Sequence, residues 1–243
     1  MPKKDQASAS NLVPRISKLD WPAISQSLDT YGYATTRPLL TAEECEALIA
    51  LYEDDSRFRS RVIMARHNFG SGEYKYFDRP LPKLVEHLRH ELYPQLAHTA
   101  NRWAAWLGTE AYPSQLDEFL DHCHGHGQTR PTPLLLKYQA DDYNCLHQDL
   151  YGDVAFPLQV TVLLSPLHTG FEGGEFLLME QRPRAQSRGQ AVVLEQGQAV
   201  LFATHHRPVK GSRGHYRVNM RHGVSRLLSG QRYTLGIIFH DAR

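Results

Sequence analysis

The sequence sets a histidine and an aspartate two positions apart in the run LKYQADDYNCLHQDLYGD, as His147-Gln148-Asp149. In an extended strand or at its exit, residues two apart point to the same side, so this imidazole and carboxylate can converge on one ion. A chain with 14 histidines produces a His-x-Asp pair readily by chance, and the bland alternative is a loop histidine hydrogen-bonded to a neighbouring acid. A second imidazole on the same face would separate the two readings. Two imidazoles and one carboxylate hold one face of an octahedral ferrous ion and leave the remaining positions open. His222 is the candidate, because Arg232 follows it in HGVSRLLSGQR. If His222 leaves one strand, Gly230 permits a tight return and Arg232 enters the next strand, pointing in behind the ion. Its planar guanidinium fork can bind a carboxylate through two charge-assisted hydrogen bonds.

A strand-rich second half must position these groups. After Pro131, the runs LLLKYQ, FPLQVTVLLSP, GEFLLME, QAVVLE, QAVLFATHH and RYTLGIIFH are short, rich in Val, Leu and Phe, and separated by Gly, Pro and polar residues. That rhythm predicts a predominantly β core of two sheets rolled face to face over residues 131–243. Residues 14–130 read as a mainly helical N-terminal buttress with short extended pieces, integrated with the core into one domain, giving α+β overall. A short helix is expected around Ile16 to Leu28. Thr41 with Glu44 forms a capping-box pattern ahead of Cys45, Leu48 and Ile49. The run SRFRSRVIMARHNFGSGEYKYF suggests two extended pieces joined at Gly70 to Gly72. Leu84, Leu88, Leu92, Leu96 and Ala100 recur at helical spacing, with Pro94 expected to divide that tract in two. A further helix is expected from Ser114 to Cys123. Residues 1–13, rich in Ser, Ala and Lys, read as a mobile tail.

Composition narrows the function classes. The 27 basic and 26 acidic residues nearly cancel, which excludes a uniformly basic nucleic-acid coat. From Gln196 to His240, however, no Asp or Glu occurs, whereas Arg207, Lys210, Arg213, Arg217, Arg221, Arg226 and Arg232 all fall there. Such a cluster focuses potential on an anionic cosubstrate or partner, unless distant acidic segments fold against it. Three widely spaced cysteines, Cys45, Cys123 and Cys145, argue against a disulfide scaffold. No stretch is long and apolar enough to span a bilayer, and no secretory pattern follows the basic start, so a cytoplasmic setting with no membrane partner is the expectation.

The order Tyr138, His147 and Asp149, the EGGEF of Glu172 to Phe176, Val200 to Phe202, then His222 with Gly230-Gln231-Arg232 resembles the Fe(II)/2-oxoglutarate dioxygenase superfamily, and within it the prolyl-4-hydroxylase-like branch. The resemblance spans about Leu134 to the end. More narrowly, DYNCLHQDLYGDVAFPLQ and the layout of the chain are similar to a bacterial oxygenase family described as acting on damaged DNA by oxidative demethylation. The resemblance implies a double-stranded β-helix, of jelly-roll or cupin-like form. It implies Fe(II) held by His147, Asp149 and His222, with 2-oxoglutarate and O2 as cosubstrates. Arg232 is then the partner of the distal carboxylate of 2-oxoglutarate. Tyr138 is a hydrogen-bond donor to the same molecule, against a bland reading as a packed barrel tyrosine, and Asn144 and Gln159 are weaker polar contacts. Glu172 and Glu175 are expected to organise a turn or strand edge rather than carry acid-base chemistry.

The implied reaction hydroxylates a C-H bond and converts 2-oxoglutarate to succinate and carbon dioxide. Its candidate form is oxidative demethylation of methylated or damaged DNA. The alternative is hydroxylation of a protein, a prolyl peptide or a small molecule, and the non-enzyme alternative is a jelly-roll binding module that retains a metal. Arg217 and Asn219 precede the distal histidine, whereas the Arg-x-Asn run of nucleic-acid demethylases follows it. Two competing metal readings remain. DHCHGHG offers His122, Cys123, His124 and His126 for zinc, but crowds them into one segment. His205 and His206 compete with His222, yet neither has an arginine at the family's later spacing. Loops at Phe69 to Phe77 and Gln181 to Gly189, the latter with Arg182, Arg184 and Arg188, either edge a substrate entrance or simply connect strands.

Overall fold

The computed structural model describes residues 12–243. Most of the expected tail therefore lies outside the described residues, but at its inner end residues 12 and 13 are already helical and Leu12 is fully buried. The first half of the chain supplies helices α1 (Trp21–Tyr31), α2 (Ala42–Ala50), α3 (Lys83–Leu107) and α4 (Leu116–Gly125), and strands β1 (Tyr33–Thr35), β2 (Phe58–Ile63), β3 (Gly70–Ser71) and β4 (Glu73–Phe77). The second half supplies β5 (Leu134–Gln139), β6 (Tyr143–His147), β7 (Leu158–Leu163), β8 (Phe171–Gly173), β9 (Phe176–Gln181), β10 (Arg188–Val192), β11 (Ala199–Ala203), β12 (His206–Gly211), β13 (Gly214–Val224) and β14 (Leu227–Ile237).

Local chemistry accounts for the helix ends. Asp20 caps α1 by accepting from the Ala23 N-H at 3.0 Å. Thr41 and Glu44 form the reciprocal capping box at α2. Pro94 does not divide its tract, since α3 runs unbroken through it. A proline removes one hydrogen bond of the ladder, and Leu88, Leu92, Leu96 and Ala100, buried on both sides of it, hold the helix in place through the core they share. The junction after β2 is longer than a glycine turn, because a 3-10 turn at Met64–His67 precedes Gly70.

Two antiparallel sheets with N-terminal helices result, the arrangement of the double-stranded β-helix fold family. The larger sheet runs β1-β11-β7-β14-β5-β4-β2, with β8 also against β14; the smaller runs β10-β9-β13-β6-β3, with β12 also against β13. Alternation along the large sheet separates two cores. Val160, Val162, Leu235 and Ile237 share one apolar cluster with α3. Leu163, Phe171, Phe176, Leu178 and Phe202 form another. The chain crosses from β13 of the small sheet to β14 of the large one through Ser225 and Arg226, so the expected return at Gly230 occurs earlier. Gly230 instead lies inside β14 at φ 77°, where an added Cβ would come within 2.0 Å of the Gly170 carbonyl oxygen; its bare backbone admits β8.

A buried ion pair ties α3 to the end of the chain. Arg89 donates to Asp241 at 2.8 Å and to the Ile238 and Phe239 carbonyls at 3.1 and 2.7 Å, while Arg79 and His124 reach the other Asp241 oxygen. Burial opposes ionisation of Asp241, but Arg89 beside it outweighs that and holds the carboxyl below its usual range. The depressed value means that the contribution is present above the unfolded pKa of about 3.9 and is lost as pH falls through the folded one. Asp241→Ala leaves Arg89 buried without its partner and is expected to cost about 3–5 kcal/mol, read as a lowered denaturation midpoint at pH 7; the difference from wild type should shrink towards acid pH.

Candidate metal centre

The small sheet brings the separated histidines together. His147, the last residue of β6, stands opposite His222 of β13 in the antiparallel register, and the two ring centroids are 4.2 Å apart. Asp149, just past the strand, turns back between them: its Oδ1 is 3.5 Å from His147 Nε2 and its Oδ2 3.1 Å from His222 Nε2. One ligand atom from each residue lies within 4.8 Å of the others, and no other such group occurs among the described residues. His147 Nδ1 is 2.7 Å from the Cys145 carbonyl oxygen, a contact that places a proton on Nδ1 and leaves Nε2 as the ligand atom. His222 packs between Phe176 and Phe202, with centroids at 5.9 and 4.7 Å, which keeps that side of the site dry. The set is a 2-His-1-carboxylate triad, suited to a first-row divalent metal with open positions.

The three groups are coupled through burial, charge and hydrogen bonds. Burial works against ionised Asp149, yet the attraction of His222 and the hydrogen bonds from both imidazoles hold its carboxyl well below the usual range. Burial, followed by the neighbouring His147, pushes His222 down. Tyr151 donates to Asp149 Oδ1 at 2.7 Å, and Tyr76 and Tyr151 are joined hydroxyl to hydroxyl at 3.0 Å.

A cavity of about 180 Å³ opens from the triad along the inner face of the large sheet. Arg232, Thr234 and Gly236 alternate along β14 to line it, with Ile238 just past the strand, and Arg232 stands opposite Tyr138 of β5. Arg232 is 2% exposed, its Nη1 has no hydrogen-bond partner, and it makes no ion pair among the described residues. Burial lowers its pKa to about 10, so it stays charged near neutral pH. Gly174 of the EGGEF run makes room for it, since an added Cβ would stand 2.9 Å from Arg232 Cδ. A buried, unpartnered guanidinium is costly, and a carboxylate in the cavity is the group that satisfies it. Asn144 donates to the Tyr138 hydroxyl at 3.2 Å, leaving the phenol's own proton for an acceptor in the cavity. Burial pushes the Tyr138 phenol up, so that proton is retained.

The other sequence candidates divide cleanly. Gln159 lines the cavity with its Nε2 unpartnered. Glu175 takes the Ser225 hydroxyl at the β13–β14 corner, where Ser225 also accepts from the Glu175 N-H at 2.9 Å, a turn role. His124 is drawn to Asp241 and Cys123 is buried, so DHCHGHG forms no metal group among the described residues. His205 and His206 meet edge to face with ring centroids 3.8 Å apart, outside the triad. Arg207 is buried against Glu180 and Arg226 pairs with Asp141, so acidic residues do fold against part of the basic run. Phe69 lines the cavity. Sequence reasoning missed Tyr151, two residues beyond Asp149 and therefore able to fold back on it, and the two phenylalanines around His222, whose signal lay in strands singled out for other reasons. Tyr151→Phe keeps the ring and removes the donor to Asp149; affinity for Fe(II) or Co(II), titrated anaerobically, should fall about tenfold.

Comparison with known proteins bears on the same residues. A family model described as "Oxygenase, catalysing oxidative methylation of damaged DNA" matches residues 72–242. An uncharacterized protein of Mycobacterium tuberculosis strain H37Rv is 54% identical over 167 residues, which cover 68% of this chain and 72% of that protein. Among solved structures, a Pseudomonas putida prolyl-4-hydroxylase superposes with a TM-score of 0.54 at 16% identity, covering 92% of this chain and 99% of that one. A 2-oxoglutarate-Fe(II) oxygenase family oxidoreductase from Burkholderia pseudomallei superposes at 0.51 with 15% identity, covering 91% and 92%. At such identities the superpositions speak to the fold alone. No helix among the described residues is long and apolar enough to cross a membrane.

Proposed function

The chain belongs to the oxygenase family described as catalysing oxidative methylation of damaged DNA, within the Fe(II)/2-oxoglutarate dioxygenases, and from that premise we propose that it hydroxylates a C-H bond of a protein, peptide or small-molecule substrate. The observation that carries the cosubstrate reading is Arg232: buried, charged and unpaired at one part of the cavity whose other wall is the triad. His147 Nε2, Asp149 and His222 Nε2 hold Fe(II). Arg232 clamps the distal carboxylate of 2-oxoglutarate with its guanidinium fork, and Tyr138, oriented by Asn144, donates its hydroxyl proton to that same molecule. Residues 14–130 and 131–243 act as one unit around this cavity.

When bound, Fe(II) with O2 and 2-oxoglutarate supplies the oxidation, one oxygen atom going to the substrate carbon and the other into succinate as carbon dioxide leaves. The chain binds, orients and excludes water. Phe176 and Phe202 screen His222, and Tyr151 steadies Asp149. Leu134, Leu136 and Ile238 with Tyr74 and Tyr76 give the cavity a largely apolar wall, which suits an uncharged group such as a prolyl ring better than a charged one.

Damaged DNA is the second reading, favoured by the family description and by Lys210, Arg213, Arg217 and Arg221, which make no ion pair among the described residues and could meet phosphates. Succinate release, measured against methylated single- and double-stranded DNA, prolyl peptides and metabolite pools, separates the two; stimulation by methylated DNA alone would reverse the order. His147→Ala should abolish turnover and lose the charge-transfer band of the anaerobic Fe(II)–2-oxoglutarate complex. Arg232→Ala should chiefly raise the KM for 2-oxoglutarate, by about 30-fold or more for a charge-assisted pair of about 2 kcal/mol or above. Unchanged dependence on 2-oxoglutarate would reject the clamp.

A further inference from the structure

Gln148, between the two ligands of the His-x-Asp run, has a side chain whose bonding the triad does not explain. Its amide nitrogen donates to the His205 carbonyl oxygen at 2.7 Å and to the Met220 carbonyl oxygen at 2.9 Å. The topology shows what stands there. Asn219 of β13 pairs with Gln181 of β9 on one side and His206 of β12 on the other, whereas His222 pairs with Leu178 of β9 on one side and His147 of β6 on the other. Strands β12 and β6 therefore lie end to end along the same edge of β13, and Met220 falls in the gap between them. Its N-H is satisfied by the His205 carbonyl at 2.9 Å. Its own carbonyl would be left bare where β6 departs.

We propose that Gln148 is a positioning residue for the metal centre: its carboxamide stands in for the missing strand rung and locks the His147–Asp149 exit onto the strand that carries His222. The inference rests on the metal reading of the triad and deepens it. Gln148 is the link between the two ligands just past the end of β6, so fastening its side chain to the carbonyls of His205 and Met220 fixes the stretch of backbone that carries both His147 and Asp149. The chemistry is selective. One nitrogen with two protons can serve two carbonyl oxygens at once. A methionine has the same reach and no donor, an asparagine keeps the donors but is one methylene short, and in the first case the Met220 carbonyl loses its partner while the His205 carbonyl keeps only the Met220 N-H.

The test is Co(II) titration of the full-length chain and of Gln148→Met and Gln148→Asn, followed by the ligand-field bands of bound Co(II), with the thermal midpoint of each metal-free chain measured alongside. The expected order of affinity is wild type, then Q148N, then Q148M, with Q148M about 10–100-fold weaker than wild type and its Co(II) bands altered. Packing alone predicts the opposite order, Q148M close to wild type and Q148N weaker, and that result overturns the proposal. So does a lowered midpoint in either variant with unchanged Co(II) affinity of the folded chain. If Q148M does not fold, Q148N decides: affinity and bands equal to wild type overturn the role. Failure of the wild-type chain to take up Co(II) overturns the metal reading and the positioning role together, whereas uptake that is indifferent to both substitutions overturns the positioning role alone.

Discussion

The antiparallel register between β6 and β13 is the constraint on which the rest of the site depends. Opposed residues in such a pair stand close enough for their side chains to touch, and here the opposed residues are His147 and His222. A slip of β6 by one position would turn the His147 ring to the other face of the sheet, away from His222. The register also fixes what Asp149 must do. The strand has to end at His147 so that the carboxylate can turn back between two imidazoles, and the sheet has to tolerate that departure without leaving backbone groups bare.

Burial raises the stakes of this arrangement. Asp149 and His222 lie deep enough that burial disfavours the charged form of each, and the two are stable together because each is the other's partner. Arg232 has no such partner among the described residues. Its side chain runs beside Gly174, passes under Tyr138 and Phe171, whose ring centroids lie 5.6 and 6.0 Å from its Cζ, and ends with an unsatisfied nitrogen in the cavity. Metal ligands at one part of the cavity and an unpaired cation at another form a gradient of charge suited to an anion that is also a chelator.

Rigidity comes from outside the cavity. The large sheet carries the cavity on one face and an apolar seam against α3 on the other, and the chain end is fastened to α3 by Arg89 and Asp241. The strands that bear Arg232 and Tyr138 therefore sit on a packed layer, not a free surface. Strands β2 and β4 from the first half extend the same sheet, and β4 delivers Tyr74 and Tyr76 to the cavity, so the buttress also supplies part of the wall.

The spacing of His147 and Asp149, the later His222 with Arg232, and the alternation of the second half were sufficient to read a metal site on a two-sheet core, because ligand type and strand period are written residue by residue. The capping box at Thr41 was legible for the same reason. Other features belong to pairings between distant segments. Pro94 reads as a break until the buried faces on either side of it are seen to share one core; Gly230 reads as a turn until β8 is found against its backbone. Gln148 is an unremarked spacer in the chain, and becomes a strand rung only because β12 and β6 share an edge of β13 with a gap between them. Sequence alone determined which groups could bind a metal and a carboxylate. Tertiary structure decided which of 14 histidines meet, which arginines are neutralised by Glu180 and Asp141 and that Arg232 is buried in the cavity without an ion-pair partner among the described residues, since proximity across a sheet depends on register and is not recorded in local spacing.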